Sequence, residues 1–83
     1  MRIAYGHEAL DQLHAFPKNV QTRIIKKLLF YTAQADPLSF AKHLAGYNAY
    51  RFRIGNYRVI FEVKGDTFFV LLVEKREGAY RNL

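Results

Sequence analysis

Cysteine is absent from the 83 residues of this chain. That excludes a disulfide framework and any thiolate metal site. The three histidines, His7, His14 and His43, are scattered, and no two have the spacing of a zinc-ligand pair. No metal or other cofactor is expected. No apolar run approaches the roughly 18 residues of a membrane span, so no insertion into a membrane is expected. The opening segment MRIAYGHEAL has no apolar core of signal-peptide length, which makes a cytoplasmic location the expectation. Repeats, linkers and low-complexity tracts are also missing. The length suits one domain over residues 1–83 and one hydrophobic core. A domain this small buries only about 60–65% of its unfolded surface. A partner that binds the folded form therefore raises its stability by mass action.

Acidic residues are scarce too. Seven Asp and Glu face 13 Lys and Arg, for a net charge of +6 and a pI near 9.8. Such a balance points to a polyanionic partner: nucleic acid, a membrane surface or an acidic protein. The deficit is local as well. Between Asp36 and Glu62 there is no acid, while Lys42, Arg51, Arg53 and Arg58 fall inside that window.

What is present divides into two halves. Arg2 to Tyr5 reads as a short strand, and His7 to Phe16 as a helix with Ala9, Leu10 and Leu13 inward. Pro17 breaks it and can open the next helix. Val20, Ile24, Leu28 and Tyr31 then recur at spacings of three and four, which predicts a helix from Lys18 to about Gln34. Asp36-Pro37 ends it. From Tyr47 onward the period changes to two. Tyr50, Phe52 and Ile54 alternate with Arg51 and Arg53, and Gly55-Asn56 is a hairpin signal. Tyr57, Val59, Phe61 and Val63 alternate next. Lys64 to Thr67 makes a second turn before the apolar run Phe68 to Val73. The expected fold is α+β, in the order β-α-α-β-β-β. An antiparallel helix pair packs on one face of a mainly antiparallel sheet.

The first hairpin carries the chemistry. A loop at Gly55-Asn56 sets Arg53 opposite Arg58 and Arg51 opposite Ile60. All three arginines then share the side away from the core. Two guanidinium groups at ~5 Å repel by roughly 1–3 kcal/mol, depending on the effective dielectric. A fold has no need of that, whereas an anion lying across the strands turns it into binding. The planar fork of donors suits phosphate. The plainer alternative is that one arginine stacks on an aromatic ring or pairs with a distant acid. With a second loop at Gly65-Asp66, simple alternation puts Val73 beside Arg58 and gives Lys75 to the arginine face. Glu62 is then the one acid on that face. Tyr80, beyond the last strand, either stacks on a base or packs on the sheet.

At these residues the sequence resembles the RelE/ParE superfamily of type II toxin–antitoxin toxins, on its RelE-like branch. Tyr50-Arg51-Phe52-Arg53-Ile54-Gly55-Asn56-Tyr57-Arg58-Val59-Ile60-Phe61-Glu62-Val63 is similar to the family's YRxRxGxYRVIYEV hairpin. Leu44-Ala45-Gly46 resembles the L-x-G before it. Glu74 to Arg81 resembles the HRxxxYR ending, with Lys75 where many members carry histidine. The helical half is similar only in length, periodicity and order.

The resemblance implies a ribosome-dependent endoribonuclease (an mRNA interferase) that enters the ribosomal A site and cuts messenger RNA without a metal. The ribose 2′-hydroxyl attacks the adjacent phosphate. Such chemistry needs a base at the 2′-oxygen, cations on the phosphorane and an acid at the leaving oxygen. Carried over by position, Arg51 and Arg53 take the places of basic residues on the second strand. Arg58 and Arg76 match arginines assigned to transition-state charge, and Tyr80 matches the aromatic that stacks on or protonates the substrate. Lys42, Lys75 and Arg81 are the expected supporting RNA contacts. Some members place lysine or glutamate where this chain has arginine, and arginine is a poor base. His43 is an outside candidate for that role. A cognate antitoxin peptide is implied as partner, and no specific DNA recognition by this chain alone. Two rivals stand beside this reading: a ParE-like inhibitor of DNA gyrase without nuclease activity, and a non-catalytic basic RNA-binding module.

Overall fold

The computed structural model describes residues 1–75. Strand β1 (Arg2–Tyr5) leads into α1 (His7–Ala15) and α2 (Lys18–Thr32). A 3-10 turn (Pro37–Phe40) precedes β2 (Lys42–His43), β3 (Tyr50–Ile54), β4 (Tyr57–Lys64) and β5 (Thr67–Lys75). The architecture is α+β, two helices on a five-stranded sheet.

Local chemistry sets the helix ends. Phe16 is extended, as a residue before proline must be, and the Gln21 side-chain amide donates to its carbonyl at 2.8 Å. Pro17 stands at the cap of α2 and its carbonyl accepts from Val20 and Gln21. At the other end α2 stops two residues short of the expected Gln34. There the Thr32 hydroxyl donates to the Leu29 carbonyl at 3.1 Å and the Gln34 amide to that of Phe30 at 2.9 Å. Side chains thus help cap the last turn, beside the backbone N–H groups of Ala33 and Gln34 that bond to Leu29, Phe30 and Tyr31.

The sheet order is β1-β5-β4-β3-β2, with β1 parallel to β5 and every other pair antiparallel. Gly55 and Gly65 have φ of 58° and 60°, while Asn56 and Asp66 stay at negative φ. A positive φ at the first central residue alone is the pattern of a type II′ hairpin, whose twist matches that of the strands. The two-residue strand β2 was not legible in the sequence pattern.

The core lies between the helices and one face of the sheet. Ala9, Leu13, Val20, Ile24 and Leu28 meet Ile54, Val59, Val70 and Val73 there. Through it runs an aromatic column from α2 across three strands: Tyr31 on Phe52 at 4.4 Å, Phe52 on Phe61 at 4.5 Å, and Phe61 on Phe68 at 4.7 Å. Each buried ring contributes about 1.5–3 kcal/mol by burial. Stacking adds about 0.5–1.5 kcal/mol per pair. Burial also pushes the Tyr5 and Tyr31 phenols above their ordinary value of 10.0.

One irregularity shapes everything on the other face. From the second hairpin, Lys64 pairs with Thr67 and Phe61 with Val70. Between Ile60 and Phe61 the register shifts: Ile60 pairs with Leu72, Val59 with Val73 and Arg58 with Glu74. Leu71 is the extra residue of a β-bulge. The Val73 N–H is taken by the Gln12 side chain of α1 at 2.7 Å. The bulge overturns the simple alternation expected for β5. Val73 faces the core, Glu74 stands beside Arg58, and Lys75 pairs with Tyr57 on the helix-covered side.

Candidate nucleic-acid interface

The helices cover one face of the sheet, and the candidate site lies on the other. Strand alternation brings its side chains there in two neighbouring rows. The first runs Lys42, Arg51, Ile60, Leu72; the second runs Arg53, Arg58, Glu74. Four cations from three strands therefore share one patch. Arg53 does lie directly opposite Arg58, and Arg51 opposite Ile60, as the hairpin signal required.

Arg58 is the informative residue. Its guanidinium reaches β5, where Nη2 lies 3.6 Å from Oε1 of Glu74. Its side chain is only 27% exposed, and Nε is buried without a hydrogen-bond partner among the described residues. A buried donor left unmet costs about 1–3 kcal/mol. A partly exposed ion pair returns only about 0–1 kcal/mol. The pair is also longer than a hydrogen bond. By these magnitudes the ion pair does not offset the unmet donor, and both lie on the open face beside Arg53.

The expectation that Glu62 is the one acid on the arginine face needs correcting, because Glu74 joins it and lies beside Arg58. Sequence reasoning missed it for a definite reason. Phe68 to Val73 is apolar at every position, so nothing in the pattern marks where alternation slips by one residue. Two further acids among the described residues, Glu62 on this face and Asp66 in the turn, sit with their own cations. Glu62 lies 3.7 Å from Lys64, and Asp66 lies 3.7 Å from Arg2.

Of the other expected site residues, Lys42 is exposed and pairs with Arg51, so it joins the patch. Arg53 is exposed and Arg51 half-buried. Lys75 is exposed at the end of β5 but belongs to the opposite pleat. His43 pairs with Tyr50, its ring 5.1 Å from the tyrosine ring, and so also lies on the pleat away from the arginines. Arg76, Tyr80 and Arg81 lie outside the described residues. Among the described residues, no three His, Asp or Glu side chains gather as a metal-ligand group, and no helix is long and apolar enough to cross a membrane.

Comparison with known proteins bears on this geometry. A family model described as the ParE toxin of type II toxin–antitoxin systems matches residues 3–80. Toxin RelE3 of Methanocaldococcus jannaschii is 33% identical over 86 residues, covering 96% of this chain and 96% of that protein. Among solved structures, the RelB–RelE antitoxin–toxin complex from Methanococcus jannaschii contains a chain that superimposes with a TM-score of 0.68. It is 28% identical, over 96% of this chain and 98% of that one. The RelBE2 toxin–antitoxin complex from Mycobacterium tuberculosis gives a TM-score of 0.76 at 22% identity, over 90% of each chain, a likeness of fold.

Proposed function

This chain belongs to the RelE/ParE family of type II toxin–antitoxin toxins, and from that premise we propose that it is a ribosome-dependent messenger-RNA endoribonuclease. It works in the cytoplasm as one domain of residues 1–83 and arrests translation by cutting messenger RNA in the ribosomal A site. The observation that carries this reading is Arg58: a guanidinium with a buried donor unmet among the described residues, set in a row with Arg53 on the uncovered face.

In this reading the messenger lies across β3 and β4. Arg58 and Arg53 hold the non-bridging oxygens of the scissile phosphate, and Arg51 and Lys42 hold the neighbouring backbone. Charge that grows on the phosphorane is met by cations already in place, without reorganisation. The 2′-oxygen bonds to phosphorus and the 5′-oxygen departs, leaving a cyclic phosphate and a 5′-hydroxyl. By position in the family motif, Arg76 joins the cationic group, and Tyr80 stacks on a base or protonates the leaving oxygen. Lys75 and Arg81 contact RNA at the rim. No metal is assigned a role. A cognate antitoxin peptide binds and silences the chain, as the RelB–RelE complex suggests by analogy.

The test is cleavage of messenger RNA on programmed ribosomes by the purified toxin, with a 2′-deoxy nucleotide at the cut position as control. Cleavage of the all-ribose messenger and none of the deoxy one is expected. Intact messenger at saturating toxin would overturn the proposal. A second reading deserves the same sample because the matching family model is that of ParE. Inhibition of DNA gyrase with messenger left whole would favour it. An RNA-binding module would bind tightly, salt-sensitively and without cleavage.

A further inference from the structure

The proposed reaction lacks a base in the described residues if the cations alone are considered. Arginine keeps its proton at every physiological pH. The geometry supplies another group. The proton to be removed and the charge to be neutralised belong to oxygens around one phosphorus, so base and cation must be neighbours. Among the described residues, Glu74 is the carboxylate that meets this condition. It lies 3.6 Å from the Arg58 guanidinium, on the same open face, with its side chain 42% exposed.

The other candidates fail on position. Glu62 is four residues from Arg58 along β4, about 13 Å at strand rise, and sits with Lys64. His43 is on the opposite pleat. His7 pairs with Asp11 on α1, which packs on the covered face. The bulge at Leu71 is what brings Glu74 into place, since an unbroken β5 would have presented Val73 to Arg58.

We propose that Glu74 is the general base of this chain, taking the 2′-hydroxyl proton while Arg58 holds the phosphate beside it. The inference rests on the nuclease reading above. The proton passes to a Glu74 carboxylate oxygen and the 2′-oxygen forms a bond to phosphorus. The bond from phosphorus to the 5′-oxygen breaks, with its electron pair leaving on that oxygen. The leaving oxygen takes up a proton supplied by solvent, and Glu74 later returns its own to solvent. Among the described residues, the register sets Arg58 on β4 nearest to Glu74, with Arg53 and Arg51 of β3 on the same face beyond it. Its own neighbour Lys75 turns to the other pleat.

The experiment compares wild type, Glu74→Gln and Glu74→Asp in single-turnover cleavage on programmed ribosomes across pH, with RNA affinity measured alongside. The expected result is a loss of about 10²–10³-fold in the cleavage rate of Glu74→Gln, with affinity unchanged or tighter because a negative charge is gone. Glu74→Asp should keep part of the rate. The wild-type rate should fall in acid as the carboxylate protonates, and that limb should be missing from Glu74→Gln. A glutamine variant that cuts as fast as wild type, or faster, overturns the assignment and makes Glu74 a brake on Arg58. If the variant does not fold, a wild-type profile without an acid limb overturns it equally. A wild type that never cuts removes the nuclease reading itself, and this inference with it.

Discussion

Arg58 and Tyr31 show how differently a single side chain can be used. Tyr31 serves the fold: it is buried, and stacks on Phe52 at 4.4 Å and on Phe40 at 5.2 Å. Burial raises its phenol and that of Tyr5 above 10.0. Above that pH the unfolded chain loses these protons before the folded chain does. The stabilisation is therefore fully present below about pH 10 and is lost as pH rises through the folded values. The melting temperature should drop steeply in alkali, and Tyr31→Phe should blunt the drop in a pH series of thermal melts. An identical alkaline drop in both proteins would contradict the account. Arg58 does the reverse. It faces Arg53 across the hairpin and Glu74 at 3.6 Å, its Nε is unmet among the described residues, and in the proposed function its return comes from a ligand.

At the scale of elements, the hairpins are where sequence and structure agree most closely. Gly55 and Gly65 were legible as turn residues, and both adopt positive φ. A Cβ at Gly65 would touch nothing within 4 Å, so the cost of Gly65→Ala is conformational. It should be about 1–2 kcal/mol in urea unfolding, whereas an unchanged midpoint would mean the turn has relaxed to another type. The helices were legible from the spacing of Val20, Ile24, Leu28 and Tyr31, and the face of Arg51, Arg53 and Arg58 from strict alternation. Strand β5 was not. Alternation can be read only where polar and apolar residues take turns, and Phe68 to Val73 gives no such contrast. The bulge at Leu71 was hidden for that reason, and with it the place of Glu74 beside Arg58. Strand β2 escaped because two residues carry no period. Lys42 nevertheless joins the arginines through it.

As a whole, the molecule is two-faced. One side of the sheet is closed by helices over an aromatic column, and the other carries Lys42, Arg51, Arg53 and Arg58, of which Lys42 and Arg53 are exposed. With a net charge of +6, the RNA contact proposed above would be preceded by long-range attraction. Four phosphate contacts would give a slope of about −3 for log affinity against log salt on single-stranded RNA. Replacing Lys42 with alanine should lower that slope by somewhat less than one, measured by titration at several salt concentrations. No change would remove Lys42 from the interface. The most direct measurement pairs stability with turnover in the double variant Arg53→Ala/Arg58→Ala. The account predicts a protein that melts at or above the wild-type temperature, because a repulsion and an unmet donor are gone, yet cleaves ribosome-bound messenger at least about 10³-fold more slowly. A variant that is destabilised but cuts normally would show that the arginine pair belongs to the fold and not to the phosphate.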